Sequence, residues 1–182
     1  MKVLVFLAEG FEEAEALCPV DVFKRAGYEV VLAGVDKLEV ASSHGIKIKA
    51  DITVEEIKEN DFDCVFCPGG MPGAVNLAQS WRVNEILIES VNSERVVSAI
   101  CASPAVVLGP LGLLNGKNAT CYPGCESYSP QLEFLSDGVV VDGNIVTGKS
   151  AGYAFDLGLK IVELLSGVDV ANKVQASIFY KE

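Results

Sequence analysis

The residue best placed for nucleophilic chemistry is the cysteine in Val96-Val97-Ser98-Ala99-Ile100-Cys101-Ala102-Ser103-Pro104. A β-branched run leads into it, and Ala105-Val106-Val107-Leu108 behind it reads as the opening of a buried helix. The thiol therefore stands at a strand–turn–helix corner. Small neighbours are needed there because strand and helix approach closely, as at the nucleophile elbow of α/β hydrolases. The positive end of a helix favours an anion, so the spacing predicts a lowered thiol pKa. A cysteine can also serve as a small buried hydrophobe; the elbow context favours the reactive reading.

A carboxylate is needed to move protons beside such a thiol, and Glu15 is the candidate. Phe11, Glu15, Cys18 and Val22 follow at helical spacing and share one face, whereas Glu12 and Glu13 point elsewhere. Pro19 has no N–H to give the carbonyl of Glu15, so a kink is expected there. Desolvated beside sulfur, Glu15 should hold its proton and donate it towards a thiolate. The other reading is an amphipathic helix whose glutamate reaches water at a rim. Pro68-Gly69-Gly70 follows a buried strand, and glycines there let N–H groups converge on an anion. Gly70, with Gly69 beside it, and the Ala102 N–H would make an oxyanion hole. The loop lacks the lysine and hydroxyl of a P-loop. The first strand leads into Glu9-Gly10-Phe11-Glu12-Glu13, whose carboxylates would repel a pyrophosphate. No cofactor is expected.

Other groups with chemical potential carry less. Cys64 and Cys67 lie three apart on a strand, so they face opposite ways and cannot chelate or pair. Cys121 and Cys125 bracket Tyr122-Pro123-Gly124 and are candidates to resolve an oxidised Cys101, against simple packing or exposure. His44, the single histidine, falls in a loop far along the chain from the elbow and reads as an ordinary surface residue. Ligands for zinc are too few, and no metal is expected.

The elements that must position these residues follow from the apolar pattern. Lys2 to Ala8 is a strand covered on both faces. A helix from Glu12 to Arg25 closes at Gly27, and Tyr28 to Ala33 completes a βαβ unit. A small hairpin spans Val40 to Ala50, and Thr53 caps a short helix through Lys58. Asp63–Cys67 is buried strand; a helix near Trp81 to Val91 precedes the elbow strand. Lys117–Cys121, a hairpin of Gly138–Val141 with Asn144–Thr147, and a last helix from Ala151 to Leu165 complete the chain. This alternation predicts a doubly wound α/β sandwich, with Glu9-Gly10, Pro68-Gly69-Gly70 and Cys101 gathered at the C-terminal ends of its strands.

The whole, residues 1–182, reads as one domain with a core large enough to need no disulfides. Six scattered cysteines read as reduced thiols. The apolar start of the chain meets Glu9 too soon for a signal-peptide core, so a cytoplasmic location is expected. A net charge of −11 without a basic stripe argues against nucleic acid or acidic membranes as principal partners.

Taken together, Ala8-Glu9-Gly10-Phe11-Glu12-Glu13-Ala14-Glu15, Pro19-Val20-Asp21-Val22, Arg25-Ala26-Gly27, Pro68-Gly69-Gly70 and Ala99-Ile100-Cys101-Ala102-Ser103-Pro104 resemble the DJ-1/PfpI (ThiJ/PfpI) superfamily, its DJ-1-like branch in particular. The resemblance implies a flavodoxin-like, class I glutamine amidotransferase-like homodimer with a mainly parallel sheet. It implies Cys101 as the reactive, oxidation-prone cysteine, Glu15 as its protonated partner, and Gly70 and Ala102 as anion donors. It also implies cofactor-independent glyoxalase III or deglycase activity on methylglyoxal or glycated protein, in stress defence. Redox sensing or chaperone action through Cys101 is the alternative. Protease or amidase activity is disfavoured, because the protease-like branch has a histidine after the nucleophile where this chain has Ala102. No motif supports a role in thiazole biosynthesis. The DJ-1 pattern carries a histidine at the position of Tyr122, and a phenol is a poor base at neutral pH. Lys149 matches an arginine near the site and would hold an anionic substrate group.

Overall fold

The computed structural model describes residues 1–58 and 60–181. Nine strands and five α-helices run in the order β1 (Lys2–Leu7), α1 (Glu13–Arg25), β2 (Glu29–Gly34), β3 (Glu39–Ala41), β4 (Lys47–Lys49), β5 (Ile52–Thr53), β6 (Cys64–Cys67), α2 (Gly73–Gln79), α3 (Trp81–Asn92), β7 (Val96–Ile100), β8 (Val139–Asp142), β9 (Ile145–Gly148), α4 (Ala154–Ser166) and α5 (Val168–Ser177) among the described residues. Seven of the strands form one sheet in the order β5-β2-β1-β6-β7-β9-β8. All its pairings are parallel except β8 with β9.

Pleating explains why β1 reads as an unbroken apolar run. Leu4 and Phe6 belong to one core layer and Val3, Val5 and Leu7 to the other. The first layer is covered by α2, α3 and the segment after Cys101, through Leu77, Ile86, Leu87 and Val106. The second is covered by α1, α4 and α5, through Phe23, Leu157, Ile161 and Val174. Cys64 and Cys67 are wholly buried in opposite layers, as their spacing requires. Two such layers around a parallel sheet make the doubly wound architecture.

Departures from the sequence reading are local. The expected hairpin forms, as β3 paired with β4 in a two-stranded sheet of its own. Thr53 begins a single turn, Val54–Glu56, in which the Glu56 carboxylate accepts from the Thr53 N–H at 2.7 Å. Lys117–Cys121 forms no strand, only a bridge of Thr120 with Leu135. Two helices go beyond what the apolar pattern predicts. One is α2, whose seven residues are too short to show a period; the other is α5, separated from α4 by Gly167 at φ +87°. Pro19 is accommodated inside α1, which runs on to Arg25.

Gly158 of α4 fixes how closely α1 approaches. A Cβ there would lie 3.1 Å from the Pro19 Cα and 3.2 Å from the Val22 Cβ. Since Pro19 is one turn beyond Glu15, this contact sets the depth at which Glu15 sits. Gly158→Val should overpack the seam and destabilise the protein by about 1–3 kcal/mol. Urea unfolding checks this, and an unchanged midpoint would contradict so close an approach.

Candidate active site

The end of β7 is held in an unusual backbone conformation. Cys101 has φ +64°, a left-handed value that costs a residue with a Cβ roughly 1–2 kcal/mol. The turn is clamped on both sides: the Cys101 N–H donates to the Gly148 carbonyl at the end of β9, and its carbonyl accepts from the Tyr122 N–H, each at 2.8 Å. The buried Ser103 hydroxyl donates to the Pro68 carbonyl at 2.5 Å, tying the elbow to the glycine loop after β6. Sequence reading passed over Ser103; only its place between two small or imino neighbours hinted at a packed corner.

Gly69 is the plane on which the site closes. A Cβ on it would strike Glu15 Oε2 and come within 2.6 Å of Cys101 Cβ and 2.8 Å of the Ile100 carbonyl. Its carbonyl accepts from the Glu12 N–H at 3.0 Å, which fastens the loop to the start of α1. Gly70, at φ +88°, packs where any side chain would meet the Glu12 N–H and the Gly10 carbonyl. Glu12 is the N-cap of α1, accepting from the Glu15 N–H at 2.6 Å, and this first turn points Glu15 at the elbow.

Glu15 is 2% exposed and its Oε2 has no donor among the described residues. Burial, with the Glu12 charge adding to it against the opposing pull of donors at Cys101, Gly69 and Ala151, pushes its carboxyl up to about 7. The thiol departs from the sequence expectation. Burial first, then the Glu15 carboxylate, push Cys101 up, while the Gly70 and Ala102 N–H groups pull it down. The expected helix end is weak because the following helical segment, Pro104–Leu108, has five residues, with the Gly109 N–H donating to the Pro104 carbonyl. Two groups so close cannot both ionise cheaply, so they titrate as a pair around one shared proton.

The remaining candidates lie at the rim. Tyr122 is bound to the elbow through its backbone, with its side chain 48% exposed. Cys121 is buried, its thiol facing the Tyr122 carbonyl at 3.6 Å. The Lys149 ammonium is turned to the Ser136 carbonyl at 2.9 Å, so reaching an anion at Cys101 requires that contact to open. His44, on the tip of the β3–β4 hairpin, is exposed and lies 2.8 Å from Glu13 Oε1. With Glu12 and Glu13 it presents three potential ligand atoms within 4.8 Å of one another, the one such group among the described residues. His44 and Glu13 are already joined to each other there.

Two variants test this geometry. Gly69→Ala should force Glu15 and Cys101 apart and slow iodoacetamide labelling of Cys101 at least several-fold, with the fold retained by circular dichroism; unchanged labelling would place Gly69 outside the contact. A carboxyl whose folded pKa is raised stabilises the protein fully below its unfolded pKa, and that contribution is lost as pH rises through the folded one. Stability should thus fall by up to about 3 kcal/mol between pH 4.5 and 7 on account of Glu15. Urea midpoints across that range should flatten in Glu15→Gln, and an equally steep decline in the variant would assign the slope elsewhere.

Comparison with known proteins finds relatives along most of the chain. The model of the DJ-1/PfpI family matches residues 1–164. Protein DJ-1 homolog B of Arabidopsis thaliana is 39% identical over 167 residues, 91% of this chain. The chain spans only 38% of that protein's length, and 44% of the length of Protein DJ-1 homolog A of the same plant. A Caenorhabditis elegans protein named glutathione-independent glyoxalase DJR-1.2 is 33% identical over 168 residues, covering 91% of this chain and 89% of that one. Among solved structures, Toxoplasma gondii DJ-1 in an oxidized form superposes with a TM-score of 0.95 at 37% identity, covering 100% of this chain and 99% of that one. A full-length superposition at this identity, together with the family match over most of the sequence, leads to one conclusion: the chain belongs to the DJ-1/PfpI family.

Proposed function

We propose that the protein is a cysteine-dependent, cofactor-independent glyoxalase, of the glyoxalase III or deglycase type, acting on methylglyoxal or its protein adducts. The observation that carries this reading is the buried Glu15 carboxyl, raised to about 7, facing a strained Cys101 elbow that also receives the Gly70 and Ala102 N–H groups. A group that both takes and gives a proton near neutrality suits general acid–base work. The name of the Caenorhabditis elegans relative points the same way.

The chemistry runs through the pair. When the pair has lost its first proton, the charge can rest on sulfur while Glu15 keeps the remaining proton. Sulfur adds to the aldehyde carbon, and the resulting oxyanion meets the Gly70 and Ala102 N–H groups before taking the Glu15 proton. Glu15, now ionised, removes the proton from that carbon and returns it to the neighbouring carbonyl carbon, through an enediol. The product is a lactyl thioester on Cys101. Water cleaves it to lactate and free thiol. Tyr122, with no basic nitrogen at the site's mouth, leaves proton transfer to Glu15.

A second reading rests on the same thiol. Cys101 is partly accessible, and the Toxoplasma relative's structure is described as oxidized. Here Cys101 would signal through its own oxidation, as a redox sensor or chaperone, without turnover.

Direct lactate measurement from methylglyoxal, in buffer free of thiols and amines, separates the two. Wild type should form lactate, Cys101→Ala none above background, and Glu15→Gln roughly 100-fold less or lower. The wild-type rate should rise as pH passes through about 7, where the pair loses its first proton. Glu15→Gln should move that limb towards the thiol's own higher ionisation. No lactate from folded wild type would overturn the enzymatic reading in favour of the redox one.

A further inference from the structure

The segment that carries Cys125 is bonded to the elbow. The segment from Tyr122 to Ser129 crosses the nucleophile corner and is pinned to it at both ends. The Tyr122 N–H donates to the Cys101 carbonyl at 2.8 Å, and the buried Ser129 hydroxyl donates to the Ala105 carbonyl at 2.7 Å. Between these pins the Cys125 N–H donates to the Tyr122 carbonyl at 3.0 Å, closing a turn. Such a turn holds its first and fourth Cα atoms within about 7 Å, so Cys125 sits one turn from the residue bonded to Cys101. Its half-buried side chain packs on the core layer that contains Ala102 and Val106.

Two further observations select Cys125 over Cys121. Cys121 is buried and its thiol is turned to the Tyr122 carbonyl. Cys125 is only half-buried and opens the single turn Cys125–Tyr128 that lies between the two pins. The turn is open to solvent. Tyr122, Pro123, Gly124 and Glu126 are exposed, and Gly124, at φ +96°, has nothing within 4 Å of where a Cβ would stand.

We propose that Cys125 is a resolving cysteine for Cys101, closing a Cys101–Cys125 disulfide after a hydroperoxide has oxidised Cys101. The inference rests on the reading of Cys101 as the reactive thiol. In the first step the Cys101 thiolate attacks a peroxide oxygen: the S–O bond forms, the O–O bond breaks, and the alcohol or water leaves with the proton held by Glu15. Sulfur is oxidised by two electrons and the peroxide is reduced. In the second, the Cys125 thiolate attacks the sulfenic sulfur. The S–S bond forms, the S–O bond breaks, and hydroxide leaves as water with the proton that Cys125 gave up. The bridge needs Cα atoms about 4.4–6.8 Å apart, so its formation requires the exposed turn to close on the elbow. It would keep Cys101 on the reversible side of the oxidation ladder, short of sulfinic acid.

The test treats the full chain with a several-fold excess of hydrogen peroxide, enough for two oxidations of one thiol, then uses intact mass and peptide mapping without reductant. Wild type should lose two hydrogens, yield a linked Cys101–Cys125 peptide, and revert fully with dithiothreitol. Cys125→Ser should lose the linked peptide and instead gain two oxygens on Cys101, with dimedone capturing the sulfenate that wild type consumes. Cys121→Ser should behave as wild type, which also controls for disturbance of the turn. Wild type passing to Cys101 sulfinate with Cys125 still free, or a bridge made by Cys121, would overturn the proposal and leave Cys101 reactive. A Cys101 untouched in every variant would overturn the underlying reading as well.

Discussion

Glu15 and Cys101 meet across the Cα of Gly69, with no room between them for a methyl group. Much of the remaining site follows from holding this contact. Burial drives the carboxyl and the thiol towards their neutral forms, and each resists the other's charge. A pair arranged in this way carries one negative charge readily and two only at high cost. Its properties therefore belong to the contact rather than to either side chain.

Maintaining the contact takes elements from distant parts of the chain. The Glu12 cap aims Glu15, Pro19 against Gly158 sets its depth, and the Gly69 carbonyl fastens the loop to α1. On the other side, β9 and Tyr122 grip the backbone of Cys101, and Ser103 binds the elbow to Pro68. The left-handed strain at Cys101 persists because these independent bonds over-determine it. The parallel sheet supplies the common frame: β1, β6 and β7 are neighbours, so the loops leaving their C-terminal ends converge. Among the described residues, no helix is long and apolar enough to cross a membrane.

Much of this was legible in the residues. The unbroken apolar runs at Lys2–Leu7 and Cys64–Cys67 announced strands buried on both faces, and the helical spacing of Phe11, Glu15 and Val22 placed the carboxylate on a buried face. The small residues around Cys101 gave the sharp turn. Short elements were harder to see. Seven residues of α2 offer less than two full periods, and α5 follows α4 across one glycine, so composition alone reads the two as a helix and its tail.

The sequence by itself determined the doubly wound class, the strand-to-helix corner at Cys101 and the buried helix face that carries Glu15, because periodicity and residue size are local properties of the chain. It did not determine the ionisation of Cys101. Sequence spacing suggested a helix end that would lower the thiol's pKa, whereas the folded chain supplies a short helical segment, partial burial and an adjacent acid, and the last two raise it. Nor could it show that Lys149 turns to Ser136, or that the segment Tyr122–Ser129 is bonded to the elbow at both of its ends. Those facts depend on contacts between residues far apart in the chain, and only the tertiary structure decides which of many possible partners each group meets.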